Sequence, residues 1–164
     1  MFKGKISMSC VIAVAFVAPL SAPAFADAVV KVTLLDKGGE MDMSKNMGLG
    51  MGMKGDMKMS PMSIEINPKT VPVGKVTFRV TNKSNAVVHE MIVAAVKNEN
   101  FVLPYKEAEN RADEDKAGDL GEVSELDPGK SGSLIVEMKP GTYLLYCNVP
   151  GHYMMGMWTT LNVK

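Results

Sequence analysis

From Cys147 to Met157 the chain reads Cys-Asn-Val-Pro-Gly-His-Tyr-Met-Met-Gly-Met, which sets a thiolate, an imidazole and a thioether at the spacing C-x4-H-x4-M. Three soft or borderline donors on one short loop can converge on one ion. Thiolate and thioether favour copper(I), and imidazole suits either copper oxidation state, so copper is the ion this donor set selects. A trigonal set of two imidazoles and one thiolate needs a second histidine, and besides His152 the chain has only His89. His89 is therefore the expected fourth participant. The loop also carries Met154 and Met155, and Met155 stays open as an alternative axial donor. Met157 is the expected one, because it follows Gly156, heads the last strand and shares parity with Thr159, Leu161 and Val163.

A cysteine on a strand is commonly just a small buried hydrophobe, and a single histidine a satisfied core residue. The joint occurrence of both with a Pro-Gly-His turn and a Gly-Met step favours the metal reading. Cysteine usage points the same way. Residues 1–26 read as a secretory signal: Lys3 and Lys5 at the start, an apolar run from Val11 to Val17, and Ala24-Phe25-Ala26 as the cleavage site. The run is too short for a comfortable membrane span, and Cys10 precedes it, against a lipid-attachment site. Cleavage near Asp27 leaves Cys147 as the single cysteine of an exported chain. No internal disulfide can then form, and a lone thiol in an oxidising compartment needs burial or a ligand.

The donors have to be positioned by strands. Ala28 to Leu35 alternates and is rich in valine, and ends at Asp36-Lys37-Gly38-Gly39. Ser63 to Asn67 is a second strand. Lys75 to Thr81 alternates strictly, with Val76, Phe78 and Val80 on one face. Val87 to Val96 is a longer apolar strand on which His89 shares a side with Val87, Met91, Val93 and Ala95. Ser131 to Met138, Thr142 to Asn148 and Met157 to Val163 complete the set, separated by the Asp127-Pro128-Gly129-Lys130 and Pro140-Gly141 turns. Short strands, regular turns and little helix indicate an all-β domain, an antiparallel sandwich of Greek-key type.

Two stretches stand outside this pattern. Lys106 to Asp119 is charged, has no convincing apolar stripe, and reads as a solvated connection with at most a short exposed helix. From Glu40 to Met62 the composition turns to methionine, glycine and lysine, with Met41, Met43, Met47, Met51, Met53, Met57, Met59 and Met62. Its glycines each cost about 1 kcal/mol in a helix relative to alanine, so it reads as a mobile Met-rich insertion. It is either a low-complexity linker or a thioether tract able to capture copper(I).

The residues resemble the cupredoxins, the blue-copper family, and among them the small bacterial proteins of plastocyanin, azurin or sulfocyanin type. The likeness runs through Gly74-Lys75-Val76-Thr77-Phe78, Val80-Thr81-Asn82, His89-Glu90, Pro128-Gly129, Pro140-Gly141-Thr142-Tyr143 and Cys147 to Met157. It implies a single Greek-key domain over residues 27–164, one copper ion cycling between Cu(I) and Cu(II), and the ligand roles for His89, Cys147, His152 and Met157. The chain departs from the family in placing Glu90, where many members have asparagine, directly after the first histidine. The backbone N–H that the family aims at the thiolate sulfur is still supplied there.

The expected function is one-electron transfer between redox partner proteins such as a cytochrome, an oxidase or a dehydrogenase, by an exported, monomeric chain without enzyme activity. The rival is periplasmic copper trafficking or resistance, with copper-trafficking proteins as partners and the Met-rich segment engaged. A small copper enzyme with an open position near Glu90 is the third reading. Two histidines cannot furnish a trinuclear cluster, and one mature cysteine excludes a two-cysteine binuclear site. A formal net charge of +0 gives no footprint for nucleic acid, and nothing after the signal could insert in a membrane.

Overall fold

The computed structural model describes residues 27–36, 60–97 and 101–164. The expected signal, and the methionine-rich stretch as far as residue 59, lie outside the described residues. The chain runs through β1 (Ala28–Asp36), β2 (Met62–Asn67), a two-residue β3 (Thr70–Val71), β4 (Gly74–Asn82) and β5 (His89–Val96). It continues through β6 (Tyr105–Lys106), β7 (Arg111–Ala112), the single-turn helix α1 (Glu114–Ala117), β8 (Asp119–Leu126), β9 (Ser131–Met138), β10 (Gly141–Tyr146) and β11 (Trp158–Val163).

Two sheets form a β-sandwich, one in the order β2-β1-β4-β9 and the other β3-β11-β10-β5-β8. In β4 the alternation works as its sequence indicates: Val76, Phe78 and Val80 are buried between the sheets, while Lys75 and Arg79 are in water. Burying each such side chain contributes about 1.5–3 kcal/mol. The same core takes Val30, Val32 and Leu34 from β1 and Met91, Val93, Leu145 and Leu161 from the second sheet. The Asp127–Lys130 turn closes with Lys130 N–H donating to Asp127 O at 3.0 Å, and Gly129 supplies the positive φ of 76° that the turn requires.

Not every pairing is antiparallel, as the sequence pattern suggested. β1 runs parallel to β4, with Val30 beside Phe78, and β11 runs parallel to β3. After β2 the chain crosses to the other sheet as β3, then returns on the far flank of β1 and so in the direction of β1. β8 is a strand that the sequence reading did not include. Only Val123 of its residues is buried, and Asp119, Glu122 and Glu125 line it; such an edge strand has little apolar signal and is blunted by charge.

The largest correction concerns the stretch from Lys106 to Asp119. It is no mere solvated connection: with residues 101–105 it forms the β6–β7 ladder, a 3-10 turn at Glu107–Glu109 and α1. It buries Leu103, Ala112 and Ala117 against Ile92, Ala94, Val96, Leu144, Tyr146 and Tyr153. β5 and β10 are consequently covered on both faces, which is why they read as continuous apolar runs. Ala95, expected inside, is exposed.

Candidate metal centre

His89 opens β5 at one end of the sandwich and is fully buried. Its approach is set by Asn82, also buried, whose Nδ2 donates to Val87 O at 2.8 Å and Leu126 O at 2.7 Å while its Oδ1 accepts Ser84 N–H at 2.9 Å. The Ser84 hydroxyl accepts from Val87 N–H at 2.8 Å and donates to the Asp36 carboxylate at 2.5 Å. This short loop is thereby tied to β1 and β8 just before it delivers the histidine. The ladder between β5 and β8 shifts register between His89 and Met91, where Ser124 and Glu125 of β8 stand opposite the single residue Glu90, so β8 carries the extra residue of a bulge beside the site.

Cys147 directly follows β10, and its N–H donates to Met157 O at 3.0 Å, extending the β10–β11 pairing by one step. Between them the loop coils on itself. His152 N–H donates to Val149 O at 2.9 Å, Met155 N–H to Gly151 O at 3.0 Å, and Met157 N–H to His152 O at 3.0 Å. Gly151 and Gly156 hold positive φ angles of 85° and 87°, which allow these reversals.

The two elements bring His89, Cys147 and His152 together. His89 Nδ1 lies 3.3 Å from His152 Nδ1, Cys147 Sγ lies 3.3 Å from the same His152 nitrogen, and the three donor atoms are within 4.8 Å of one another. Burial lowers the pKa of both imidazoles, that of His152 to about 4, with His89 adding to the effect there. Both rings are then neutral at pH 7 and have lone pairs to offer. Burial also pushes the Cys147 thiol up to about 12, against backbone N–H bonds from Glu90 and Val149 that favour the thiolate. A bound cation reverses that balance, because a coordinating thiol is deprotonated outright. Two neutral imidazoles and a sulfur facing one point, with N–H groups already directed at that sulfur, fit a copper ion.

Around the donors, Glu90 N–H points to Cys147 Sγ at 3.5 Å, and Glu90 Oε1 accepts the N–H of Asn148 at 3.0 Å. The Glu90 carboxyl is pushed up to about 7, chiefly by burial, with Glu122, Glu114 and Glu125 adding and the Asn148 bond opposing. Met157 is fully buried in the inter-sheet core, whereas Met155 is partly buried at its margin and its carbonyl accepts the Ser60 hydroxyl at 2.5 Å. Asn82, Asn148 and Ser60 were not singled out in the sequence. An asparagine between an apolar strand and a proline-glycine turn was the available signal for Asn148.

Among the described residues no helix is long and apolar enough to cross a membrane. No curated protein sequence matches the chain. Among solved structures, rusticyanin from Thiobacillus ferrooxidans is similar at 17% identity and a TM-score of 0.53, over 83% of this chain and 76% of that one. Auracyanin from Roseiflexus castenholzii matches at 19% identity and a TM-score of 0.49, over 86% of this chain and 99% of that one. The rusticyanin likeness bears on the sandwich alone. The sequence pattern of the copper-binding proteins of the plastocyanin/azurin family matches residues 46–164, over the strands and the loop that carry the buried His-Cys-His cluster. With that match spanning most of the chain and the cluster suited to one copper ion, the protein belongs to the plastocyanin/azurin family of copper-binding proteins, the cupredoxins.

Proposed function

We propose that the chain is an exported one-electron carrier, not an enzyme, whose single copper ion is held by His89, Cys147, His152 and Met157. The observation that carries this is the convergence of His89 Nδ1, Cys147 Sγ and His152 Nδ1 in a buried pocket already tied down by hydrogen bonds. Copper, when bound, supplies the Cu(I)/Cu(II) couple. The protein's part is to keep the donors where they are in both states. His89 stands on a strand, Cys147 at the end of another, and His152 on a loop closed by its own backbone bonds. Little rearrangement favours fast exchange with a redox partner such as a cytochrome, an oxidase or a dehydrogenase. Met157 is favoured over Met155 as the axial thioether because it is fully buried beside Cys147. The chain is expected to act as a monomer.

Optical and electron-spin spectra of the copper(II) form test the reading. An intense thiolate-to-copper band with narrow copper hyperfine splitting is expected, and both should vanish in Cys147→Ser. A pale, ordinary copper spectrum in the native chain sinks it.

Copper trafficking is the second reading, favoured by one specific observation. Ser60, where the methionine-rich sequence rejoins the described fold, is buried and bonds to the carbonyl of Met155 on the ligand loop. Deleting residues 41–59 separates the two. An electron carrier keeps its colour and reduction kinetics, whereas a trafficking protein loses copper delivery.

A further inference from the structure

Each of three residues adjoining a loop ligand is held by the excursion of residues 101–118. Asn148, next to Cys147, is fully buried, and its side chain pairs with Ala112 in both directions. Ala112 N–H donates to Asn148 Oδ1 at 2.7 Å and Asn148 Nδ2 donates to Ala112 O at 3.0 Å. The same Nδ2 donates to Glu114 Oε1 at 2.6 Å. Gly151, just before His152, donates its N–H to Asn110 O at 2.7 Å. Asn110 is left-handed at φ 52° and accepts the Tyr105 hydroxyl on its side chain at 2.6 Å. Tyr153, just after His152, is buried in the outer core, its ring 6.4 Å from that of Tyr105.

We infer that the excursion is a clamp on the metal loop and that Asn148 is its positioning residue, setting where the neighbouring Cys147 and His152 stand. The inference rests on the reading of those two residues as copper ligands. Asn148 extends the backbone ladder sideways: its amide presents to Ala112 the donor and acceptor that a paired strand would. Both donors and the acceptor of the amide are satisfied, so it has one orientation, and a fully satisfied buried network specifies one arrangement. Truncating it strands the Ala112 N–H and C=O in a dry interface, where an unmet partner is costly.

The test uses the full chain. Asn148→Ala is expected to release copper(II) to a competing chelator about tenfold faster, the scale seen when groups supporting a metal ligand are removed. In the metal-free protein the same change should speed amide exchange at Gly151 and His152 and leave Leu144 and Leu145 of β10 at their native rates. A residue that merely stabilised the fold would quicken both sets together. Glu114→Gln keeps an acceptor oxygen for Asn148 Nδ2 and should behave as the native chain. If Asn148→Ala does not fold, Tyr105→Phe decides, since it removes only the hydroxyl bond to Asn110; faster exchange at Gly151 alone is then expected. Unchanged copper release in folded Asn148→Ala, exchange that quickens equally in β10, or an unmoved Gly151 amide in Tyr105→Phe overturns the clamp. A native chain that takes up no copper overturns the ligand reading instead, and the metal-free exchange comparison still decides the clamp.

Discussion

β4 and β5 lie in facing sheets and are of similar length, yet they bury their side chains differently. β4 alternates cleanly, with one face on the inter-sheet core and the other in water. β5 sends Met91 and Val93 into that core and Ile92, Ala94 and Val96 into a second one beneath the excursion of residues 101–118. The first core is built by strands, whose period announces it. The second is roofed by a charged segment that spends few residues on contact: Leu103, Ala112 and Ala117 go inside, and of the charged residues around them only Asp113 is buried with them. A roof of that kind can loosen while the sandwich persists, since local unfolding follows local contact density.

The comparison can be broken by unfolding measurements, because the single tryptophan, Trp158, packs against the second core. Phe78→Ala, at a fully buried position in the first core, should cost about 3–5 kcal/mol. It should move the denaturant midpoints of circular dichroism and of Trp158 fluorescence together. Leu103→Ala, 2% exposed under the roof, should cost about 2–5 kcal/mol by the same reasoning, at the lower end because the excursion can settle into the gap. There the fluorescence midpoint should fall ahead of the circular dichroism midpoint; coincident transitions would make the two cores one cooperative unit.

A smaller effect comes from pH. Lys116, bonded at 2.8 Å, holds the Asp113 carboxyl below its ordinary range, with Lys106 assisting. The folded-state pKa is depressed, so the pair's contribution is present above the unfolded-state value and is lost as pH falls through the folded-state value. In an acid titration Asp113→Asn should flatten that part of the stability profile, read by Trp158 fluorescence. Smallest of all, Ile135→Ala on the wet face of β9, where Ile135 is 61% exposed, should stay within about 0.5 kcal/mol. A larger loss would mean that this face is covered in solution.

The same contrast explains what could be read early. Val76, Phe78 and Val80 declare a strand and its buried face through period alone, and Asp127-Pro128-Gly129-Lys130 declares its turn through the φ angles of proline and glycine. β8 was invisible because an edge strand with one buried side chain has no period to detect. The parallel pairing of β1 with β4 was invisible because strand direction depends on where the intervening chain crosses between sheets. Ala112 and Ala117 are too small, and too deep in a charged stretch, to advertise burial.

At the site the division is equally physical. The donor types, their spacing from Cys147 to Met157, and the turns that the Gly151 and Gly156 steps permit are local properties of a short loop, and the sequence alone determined them. That His89 Nδ1 arrives 3.3 Å from His152 Nδ1, and that Asn148 meets Ala112 and Glu114, only the tertiary structure decided. Those contacts join residues dozens of positions apart, and their geometry follows from how the sheets and the excursion pack rather than from any nearest-neighbour preference of the chain.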